Sequence, residues 1–314
     1  MSQATINKIN AMSEDLVIEV SHLTKDYGKG RGVFDVSFKI PKGKVFGYCG
    51  TNGAGKTTTL RHIMGFLKPD SGTVRVNGID PWVEGEKIKP YIGYLPGEIA
   101  FPPAETGSDF LRSQAEMIHL SDMSKAERII NALQLDPTAN LRRMSKGMKQ
   151  KTAIVAAFMH SPDILLLDEP TTGLDPLMRE AFIDIFEEEK ARGATALMSN
   201  HMFDELDETC DYVGFLKDGH LMDIVDMEEI HHRPFREFII GFKNLDEYQK
   251  AFVHPPCKVL RREDDLRNII LQVDANSAGK VIDELKNYEL RQVSEIKYTL
   301  ERYFLETMGG NDND

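Results

Sequence analysis

Three features are scarce in this chain of 314 residues: long apolar runs, cysteines and net positive charge. No run of about 18 apolar residues occurs, so the sequence predicts no membrane-spanning helix. The three cysteines, Cys49, Cys210 and Cys257, are odd in number and lack the spacing of a metal site, which favours a reduced, cytoplasmic protein. A formal net charge of −12 argues against a general nucleic-acid binder, because such proteins are usually basic.

The composition is that of a folded chain with room for two domains. It is 41% hydrophobic and 28% charged, which is enough apolar material for a sizeable core. Residues 1–15 contain neither an apolar stretch nor a cleavage pattern, so we interpret them as an N-terminal extension rather than a secretory signal. We expect a first domain at 16–228 and a C-terminal accessory subdomain at 229–314.

Hydrophobic patterns predict an α/β fold with several parts. Alternating apolar segments and Gly-rich turns at 16–45 are typical of antiparallel strands. Helical spacing dominates about 105–145, and the apolar run "DILLLDEP" is typical of a strand buried on both faces of a parallel sheet. Beyond residue 235, strands and helices follow in the order βαβ-βαβ, which indicates a small α+β subdomain of the split-βαβ type.

The strongest motif is "GTNGAGKT" at residues 50–57, which fits G-x-x-x-x-G-K-[ST] between a predicted strand and a predicted helix. Glycines let the backbone N–H groups point inward at an anion, and the helix N-terminus adds partial positive charge. Lys56 would reach the β- and γ-phosphates of a nucleotide, and the Thr57 hydroxyl would ligate Mg²⁺. The expected nucleotide-binding residues of this loop are Gly50, Thr51, Asn52, Gly53, Ala54, Gly55, Lys56, Thr57 and Thr58.

A second motif, "ILLLDEP" at 164–170, ends a predicted buried strand in two carboxylates. A carboxylate in that position is costly unless it meets a cation, so Asp168 is expected to face Mg²⁺ through water. Glu169 follows directly and would polarise the water that attacks the γ-phosphate. An apolar run ending in Asp-Glu-Pro does not by itself indicate a nucleotide site, but it is a much more specific signal when it follows a phosphate loop.

These motifs stand in the order found in one family, and over about residues 16–225 the chain resembles the nucleotide-binding subunits of ATP-binding cassette (ABC) transporters. Tyr27, in "LTKDYGKG", matches the aromatic residue that stacks on adenine. The segment "MSKGMKQK" (144–151) matches the signature, "TTGLDP" (171–176) the D-loop, and His201 the switch histidine. By position alone, Tyr27 would be a loop aromatic and His201 a core histidine. The resemblance implies a P-loop NTPase (RecA-like) core with an antiparallel β subdomain and a helical subdomain at about 105–145.

The resemblance also implies how such a chain works. Two copies would pair head to tail, with ATP and Mg²⁺ between the phosphate loop of one and Ser145, Gly147 and Asp175 of the other. This homodimer would drive polytopic membrane permease subunits on separate chains, at the inner face of the cell membrane and without nucleic acid. A single cassette with a C-terminal extension resembles exporters of the drug- or bacitracin-resistance type.

The sequence is less compatible with two other functions. A soluble ABC ATPase that acts on ribosomes or nucleic acid is disfavoured by the acidic charge and by the single cassette. An inactive regulatory cassette is disfavoured because Lys56, Glu169 and His201 are all present. The C-terminal subdomain would support dimerisation or regulation.

Three departures leave alternatives open. Lys146 replaces a signature glycine, and it either adds a cation near the phosphate or points to solvent. The family's glutamine after "YLP" is Gly97 here, so either Glu98 supplies an oxygen to Mg²⁺ or the loop only flexes and water takes the glutamine's place. The segment "HHRP", with His231 and His232, is a metal site or, more simply, a surface linker.

Overall fold

The computed structural model describes residues 15–253 and 257–307. Apart from residue 15, the expected N-terminal extension lies outside the described residues, as does the polar tail after Thr307. The chain divides into two compact units, Met1–Asp226 and Met227–Asp314. Within the described ranges, none of the helices combines the length and the apolar character that crossing a membrane would require.

The first unit contains both strands and helices. Its described strands are β1 (Leu16–Asp26), β2 (Gly32–Pro41), β3 (Val45–Gly50), β4 (Ser71–Val76), β5 (Ile92–Leu95), β6 (Ile164–Asp168), β7 (Thr195–Asn200), β8 (Tyr212–Lys217) and β9 (His220–Asp226). Its described α-helices are α1 (Lys56–Ile63), α2 (Pro81–Glu84), α3 (Gly107–Met117), α4 (Ser124–Ala132), α5 (Lys146–Phe158), α6 (Pro176–Arg192) and α7 (Phe203–Thr209).

The central sheet has the strand order β5-β6-β7-β3-β8-β9. Neighbouring strands from β5 to β8 run parallel, and β9 returns antiparallel to β8 as a hairpin. Every residue of β6 and β7 is buried, as expected for strands covered on both faces. The predicted α/β core with a parallel sheet is therefore confirmed.

A separate antiparallel sheet has the order β2-β1-β4. Its inward side chains, such as Ile18, Val20 and Leu23 on β1, are at most 1% exposed and join the core of the first unit. This sheet is the antiparallel subdomain that alternating apolar residues at 16–45 predict, completed by a strand from 71–76.

The helical segment follows β5, and polar side chains cap its helices. Thr106 and Asp109 form a reciprocal capping box at the start of α3. Ser145 caps α5, because its Oγ accepts a hydrogen bond from Met148 N at 3.2 Å. The helix α6 has Pro176 in its first turn and ends at Gly193, whose φ of 93° suits only glycine well.

The second unit has the βαβ-βαβ order that the sequence predicts. Its described elements are α8 (Met227–His231), β10 (Phe235–Phe242), α9 (Leu245–Val253), β11 (Lys258–Glu263), β12 (Asn268–Asp274), α10 (Ala278–Leu285), β13 (Leu290–Ile296) and α11 (Leu300–Thr307). The four strands form an antiparallel sheet in the order β11-β12-β10-β13, around a core that includes Ile240, Phe242 and Leu271. This confirms the split-βαβ subdomain.

The structure also bears on the "HHRP" segment and on two of the cysteines. Across the residues that the structure describes, no cluster of three or more His, Cys, Asp or Glu side chains could hold a metal ion, so "HHRP" is not supported as a metal site. Burial raises the pKa of the Cys49 thiol to about 11 and that of Cys210 to about 12. Both thiols therefore stay protonated near neutral pH and act as small buried apolar groups.

Strand order also decides where the motifs meet. The strands β5, β6, β7 and β3 are parallel neighbours, so the loops that leave their carboxyl ends lie along one edge of the sheet. Ligands of α/β proteins bind at that edge. The loops there carry Gly97, Glu169, His201 and the GTNGAGKT motif.

Candidate functional site

A tight loop joins β3 to α1 and carries the GTNGAGKT motif. Gly53 and Gly55 have positive φ angles of 85° and 107°, a conformation that residues with side chains rarely adopt. A Cβ at Gly55 would lie 2.6 Å from Val33 Cγ1 and 2.9 Å from the Gly32 carbonyl oxygen. Glycine is therefore required for the shape of the loop, which leaves its backbone open to a ligand.

Lys56 begins α1 with its side chain folded over the loop. It is 5% exposed, and its Nζ donates to the carbonyl oxygens of Gly50 at 2.6 Å and Thr51 at 3.3 Å. A buried ammonium group is costly without acceptors, and these carbonyls supply them. The cation is thus held at the N-terminus of α1, where the helix dipole adds partial positive charge.

An open pocket of about 210 Å³ lies over this loop. Its lining includes these residues that were predicted to take part in the site: Tyr27, Asn52, Gly53, Gly55, Lys56, Thr57, Thr58 and Glu169. Tyr27 offers a ring that is 49% exposed. Gly50, Thr51 and Ala54 shape the turn beneath, where Ala54 N donates to Thr51 O at 3.1 Å. Arg31 also lines the pocket, and no sequence motif pointed to it.

Asp168 ends β6 beside the loop and is 1% exposed. Its Oδ2 accepts a hydrogen bond from Thr57 Oγ1 at 2.6 Å, and its Oδ1 accepts one from Ser199 Oγ at 2.5 Å. Ser199 faces Asp168 because the two residues are partners in the register of β6 and β7. These two hydroxyls satisfy a carboxylate whose burial would otherwise be costly.

Glu169 follows in a left-handed conformation with φ of 50°, which is uncommon for a residue with a side chain. Its N–H donates to the Ser199 carbonyl oxygen at 3.1 Å. Its Oε1 lies 3.6 Å from Lys56 Nζ and 3.6 Å from His201 Nδ1, and its Oε2 accepts from Thr172 Oγ1 at 3.2 Å. The structure therefore brings Lys56, Glu169 and His201 together at the edge of the pocket.

The backbone of the loop after β5 lies against the Asp168 carboxylate. A Cβ at Gly97 would lie 3.2 Å from Asp168 Cγ and 2.9 Å from Asp168 Oδ2, and the second distance is shorter than real Cβ atoms show. Glycine at position 97 thus lets the chain pass directly against Asp168. Glu98, the next residue, is exposed and makes no hydrogen bond or ion pair with any residue in 15–253 or 257–307.

The signature and D-loop residues do not line this pocket. Ser145 and Lys146 are exposed at the start of α5, and Asp175 caps α6 by accepting from Met178 N at 3.1 Å. A Cβ at Gly147 would lie 2.8 Å from the Gly173 carbonyl oxygen, so the signature turn packs against the D-loop of the same chain.

Several polar residues lie behind the site, and no sequence pattern indicated them. Gln150 on α5 is 3% exposed, and its Nε2 donates to the Pro170 carbonyl oxygen at 2.7 Å. Glu205 on α7 is 5% exposed and accepts a hydrogen bond from Thr171 Oγ1 at 2.7 Å. A glutamate four residues after His201 was the available signal, but surface helices often carry glutamates at such positions.

Comparison with known proteins agrees with this geometry. A family model described as ABC transporter matches residues 33–172. The linearmycin resistance ATP-binding protein LnrL of Bacillus subtilis (strain 168) is 33% identical over 93% of this chain and 98% of its own length. The bacitracin transport ATP-binding protein BcrA of Enterococcus faecalis is 28% identical over 95% of this chain and 98% of its own length.

A solved structure of the ATP binding subunit of an ABC transporter is 31% identical to this chain, with a TM-score of 0.62. It covers 68% of this chain, which in turn covers 92% of that structure. The phosphate loop, the two carboxylates at the end of β6 and the histidine after β7 lie within one α/β unit. Together with 33% identity over nearly the full length of a curated relative, this means that the chain belongs to the ATP-binding subunits of ABC transporters, a family of ATPases.

Proposed function

We propose that this chain binds ATP with Mg²⁺ over its phosphate loop and hydrolyses it as a homodimer that drives export through separate membrane subunits. The observation that carries the proposal is the position of Glu169 Oε1, 3.6 Å from Lys56 Nζ and 3.6 Å from His201 Nδ1. A carboxylate between a lysine of the phosphate loop and a histidine suits the activation of water next to a phosphate.

The nucleotide would lie along the pocket from Tyr27 to the phosphate loop. The Tyr27 ring is half exposed and would stack on adenine. The N–H groups of residues 52–57 and the dipole of α1 would hold the phosphates. Lys56 Nζ would exchange the carbonyl oxygens of Gly50 and Thr51 for phosphate oxygens, which bear more negative charge.

Thr57 and Asp168 fit Mg²⁺, an ion that prefers oxygen ligands. The Thr57 hydroxyl and the Asp168 carboxylate already face each other at 2.6 Å. We propose that Thr57 binds the ion directly and that Asp168 binds it through water. An ion held by these residues would supply positive charge next to the phosphates of the nucleotide.

Hydrolysis forms a bond between a water oxygen and the γ-phosphorus and breaks the bond from that phosphorus to the bridging oxygen of ADP. Glu169 would accept the proton of the attacking water. Lys56 would stabilise the negative charge on the phosphate oxygens, and His201 would orient the γ-phosphate. The products are ADP and inorganic phosphate.

Ser145, Gly147 and Asp175 would complete the site of a second copy. Ser145 is exposed at the N-terminus of α5, a helix of 13 residues, with Lys146 exposed beside it. Such a helix start favours an anion. Since the pocket of their own chain is not lined by these residues, a head-to-tail homodimer would bring them to the γ-phosphate of the partner.

We propose that Glu98 supplies a further oxygen ligand to Mg²⁺, and Glu98→Ala tests this role. We expect this variant to raise the Mg²⁺ concentration for half-maximal ATP hydrolysis about tenfold, since loss of a ligand or its support typically weakens metal binding by that factor or more. Glu86→Ala removes an exposed carboxylate elsewhere and serves as the control. An unchanged Mg²⁺ requirement would mean that the loop at Gly97 works by flexing.

The membrane partners are inferred from the relatives. LnrL is named for linearmycin resistance, and BcrA is named for bacitracin transport. We propose that this chain likewise drives export of a toxic compound, through polytopic subunits that contact the helical segment at about 105–145. Such a chain would lie in the cytoplasm, at the inner face of the cell membrane.

Purification of the tagged full chain from membranes of its native cell tests this function. We expect a polytopic membrane protein to co-purify at a fixed ratio, and deletion of either gene to increase sensitivity to bacitracin or linearmycin. A chain that instead sediments with ribosomes in an ATP-dependent manner, with no change in sensitivity on deletion, would contradict the proposal.

A further inference from the structure

Glu205 is a buried carboxylate at the centre of a polar network behind the site. It lies on α7 and is 5% exposed. Its Oε2 accepts hydrogen bonds from Thr171 Oγ1 at 2.7 Å and from Asn200 Nδ2. Its Oε1 lies 3.0 Å from Arg179 Nε, an ion pair rather than an aligned hydrogen bond. A carboxylate buried with this many donors is held in one position.

One arm of the network leads to His201. Asn200 Oδ1 accepts hydrogen bonds from His201 N at 2.7 Å and from Met202 N at 3.0 Å. Because the Asn200 amide also donates to Glu205, its two ends cannot exchange without losing these bonds. Glu205 therefore fixes the orientation of Asn200, and Asn200 in turn fixes the backbone of His201.

The other arm leads to Glu169 and to the D-loop. Thr171 lies two residues after Glu169, and its neighbour Thr172 donates to Glu169 Oε2 at 3.2 Å. Arg179 lies in α6, one turn after the cap residue Asp175. The Glu205 carboxylate thus contacts side chains at positions 171, 179 and 200. Of these, Thr171 lies farthest from it in the chain, at 34 residues.

We propose that Glu205 is a positioning residue, which sets the distance between His201 and Glu169 and ties both to the D-loop. This inference rests on the proposed roles of His201 and Glu169 in hydrolysis. Glu205 does not line the nucleotide pocket, so its loss acts on the chemical step and not on ATP binding.

Glu205→Gln keeps the volume and removes the charge. The amide oxygen can still accept hydrogen bonds from Thr171 and Asn200. The amide NH₂ group then faces the Arg179 guanidinium, and because both groups are donors they cannot bond to each other. We expect kcat to fall about 10-fold to 100-fold, because displacing an active-site group by about 1 Å has effects of that size. The KM for ATP and the nucleotide affinity stay within twofold of the unmodified chain.

The matched control is Glu208→Gln, which changes an exposed glutamate on the same helix and leaves kcat unaltered. Thr171→Val and Thr171→Ser form a second pair, in case Glu205→Gln folds poorly. The valine removes one hydrogen bond to Glu205 and lowers kcat, whereas the serine keeps the hydroxyl and restores kcat.

A double-mutant cycle with His201→Ala separates positioning from general loss of structure. If Glu205 acts through His201, the variant with both changes hydrolyses ATP no more slowly than His201→Ala alone. Fully additive effects, or a parallel fall in nucleotide affinity, would overturn the positioning role. If His201→Ala by itself left hydrolysis unchanged, the proposed function of His201 would fail instead, so the two failures are distinguishable.

Discussion

Replacing Glu169 by glutamine should slow ATP hydrolysis about 100-fold to 1,000-fold while ATP binding persists, since general base catalysis contributes factors of that order. Glutamine has nearly the same size and can still accept the hydrogen bond from Thr172 Oγ1. It cannot take a proton from water. The pocket keeps Lys56 and the phosphate loop, so the bound nucleotide stays uncleaved.

In the proposed head-to-tail homodimer, uncleaved ATP would stay between the two copies, so the variant should accumulate as an ATP-bound dimer. Phosphate release measures turnover, and size-exclusion chromatography with ATP and Mg²⁺ measures pairing. Glu180→Gln, an exposed change on α6, is the control and should behave like the unmodified chain. Normal turnover in Glu169→Gln would show that another group accepts the proton.

Replacing Lys56 by alanine should instead remove ATP binding. The side chain is 5% exposed and provides the buried cation of the pocket, so the phosphates lose a charge-assisted contact. A loss of about 2–3 kcal/mol corresponds to an affinity about 30-fold to 150-fold lower. The loop loses the lysine's contacts with the carbonyl oxygens of Gly50 and Thr51. It should nevertheless persist, because its glycine conformations and the hydrogen bond from Ala54 N to Thr51 O remain.

Calorimetric titration with ATP in the presence of Mg²⁺ measures this affinity, and circular dichroism checks the fold. Lys42→Ala, at an exposed turn after β2, is the matched control. An affinity within twofold of the unmodified chain would contradict the role given to Lys56. With Glu169→Gln, the pair separates binding from chemistry, since one variant loses the nucleotide and the other retains it.

The sequence predicted contiguous features well. The strand–loop–helix around Lys56 (Val45–Ile63) and the strand ending at Asp168 (Ile164–Asp168) are each encoded by one contiguous segment, through apolar runs and glycines. The order of strands and helices in the second unit was predicted in the same way. Such features follow from local patterns, because periodicity and turn residues act between near neighbours.

The contacts between distant segments could not be predicted. Ser199 meets Asp168 only because β6 and β7 pair in one particular register. Gly97 lies against Asp168 because β5 is the neighbour of β6 in the sheet. Both facts depend on strand order, which the sequence of a single chain does not encode in any local pattern.

The short stretch "IGYLPGEI" shows the difference most clearly. The sequence indicated that Gly97 stands where the family has a glutamine, and that either Glu98 supplies the oxygen in its place or the loop only flexes. The structure adds a reason for the glycine: any side chain at position 97 would start within 3 Å of the Asp168 carboxylate. The backbone of this loop therefore occupies the space next to Asp168, whichever group finally supplies the oxygen.

By itself, the sequence determined the phosphate loop, the pair Asp168 and Glu169, and the α/β class, because each is carried by residues close together in the chain. Tertiary structure decided which of these groups meet. It set Glu169 at 3.6 Å from both Lys56 and His201, and it buried Glu205 among donors from three separate segments. The physical reason is that parallel strands bring their carboxyl ends to one edge, whatever the length of chain between them.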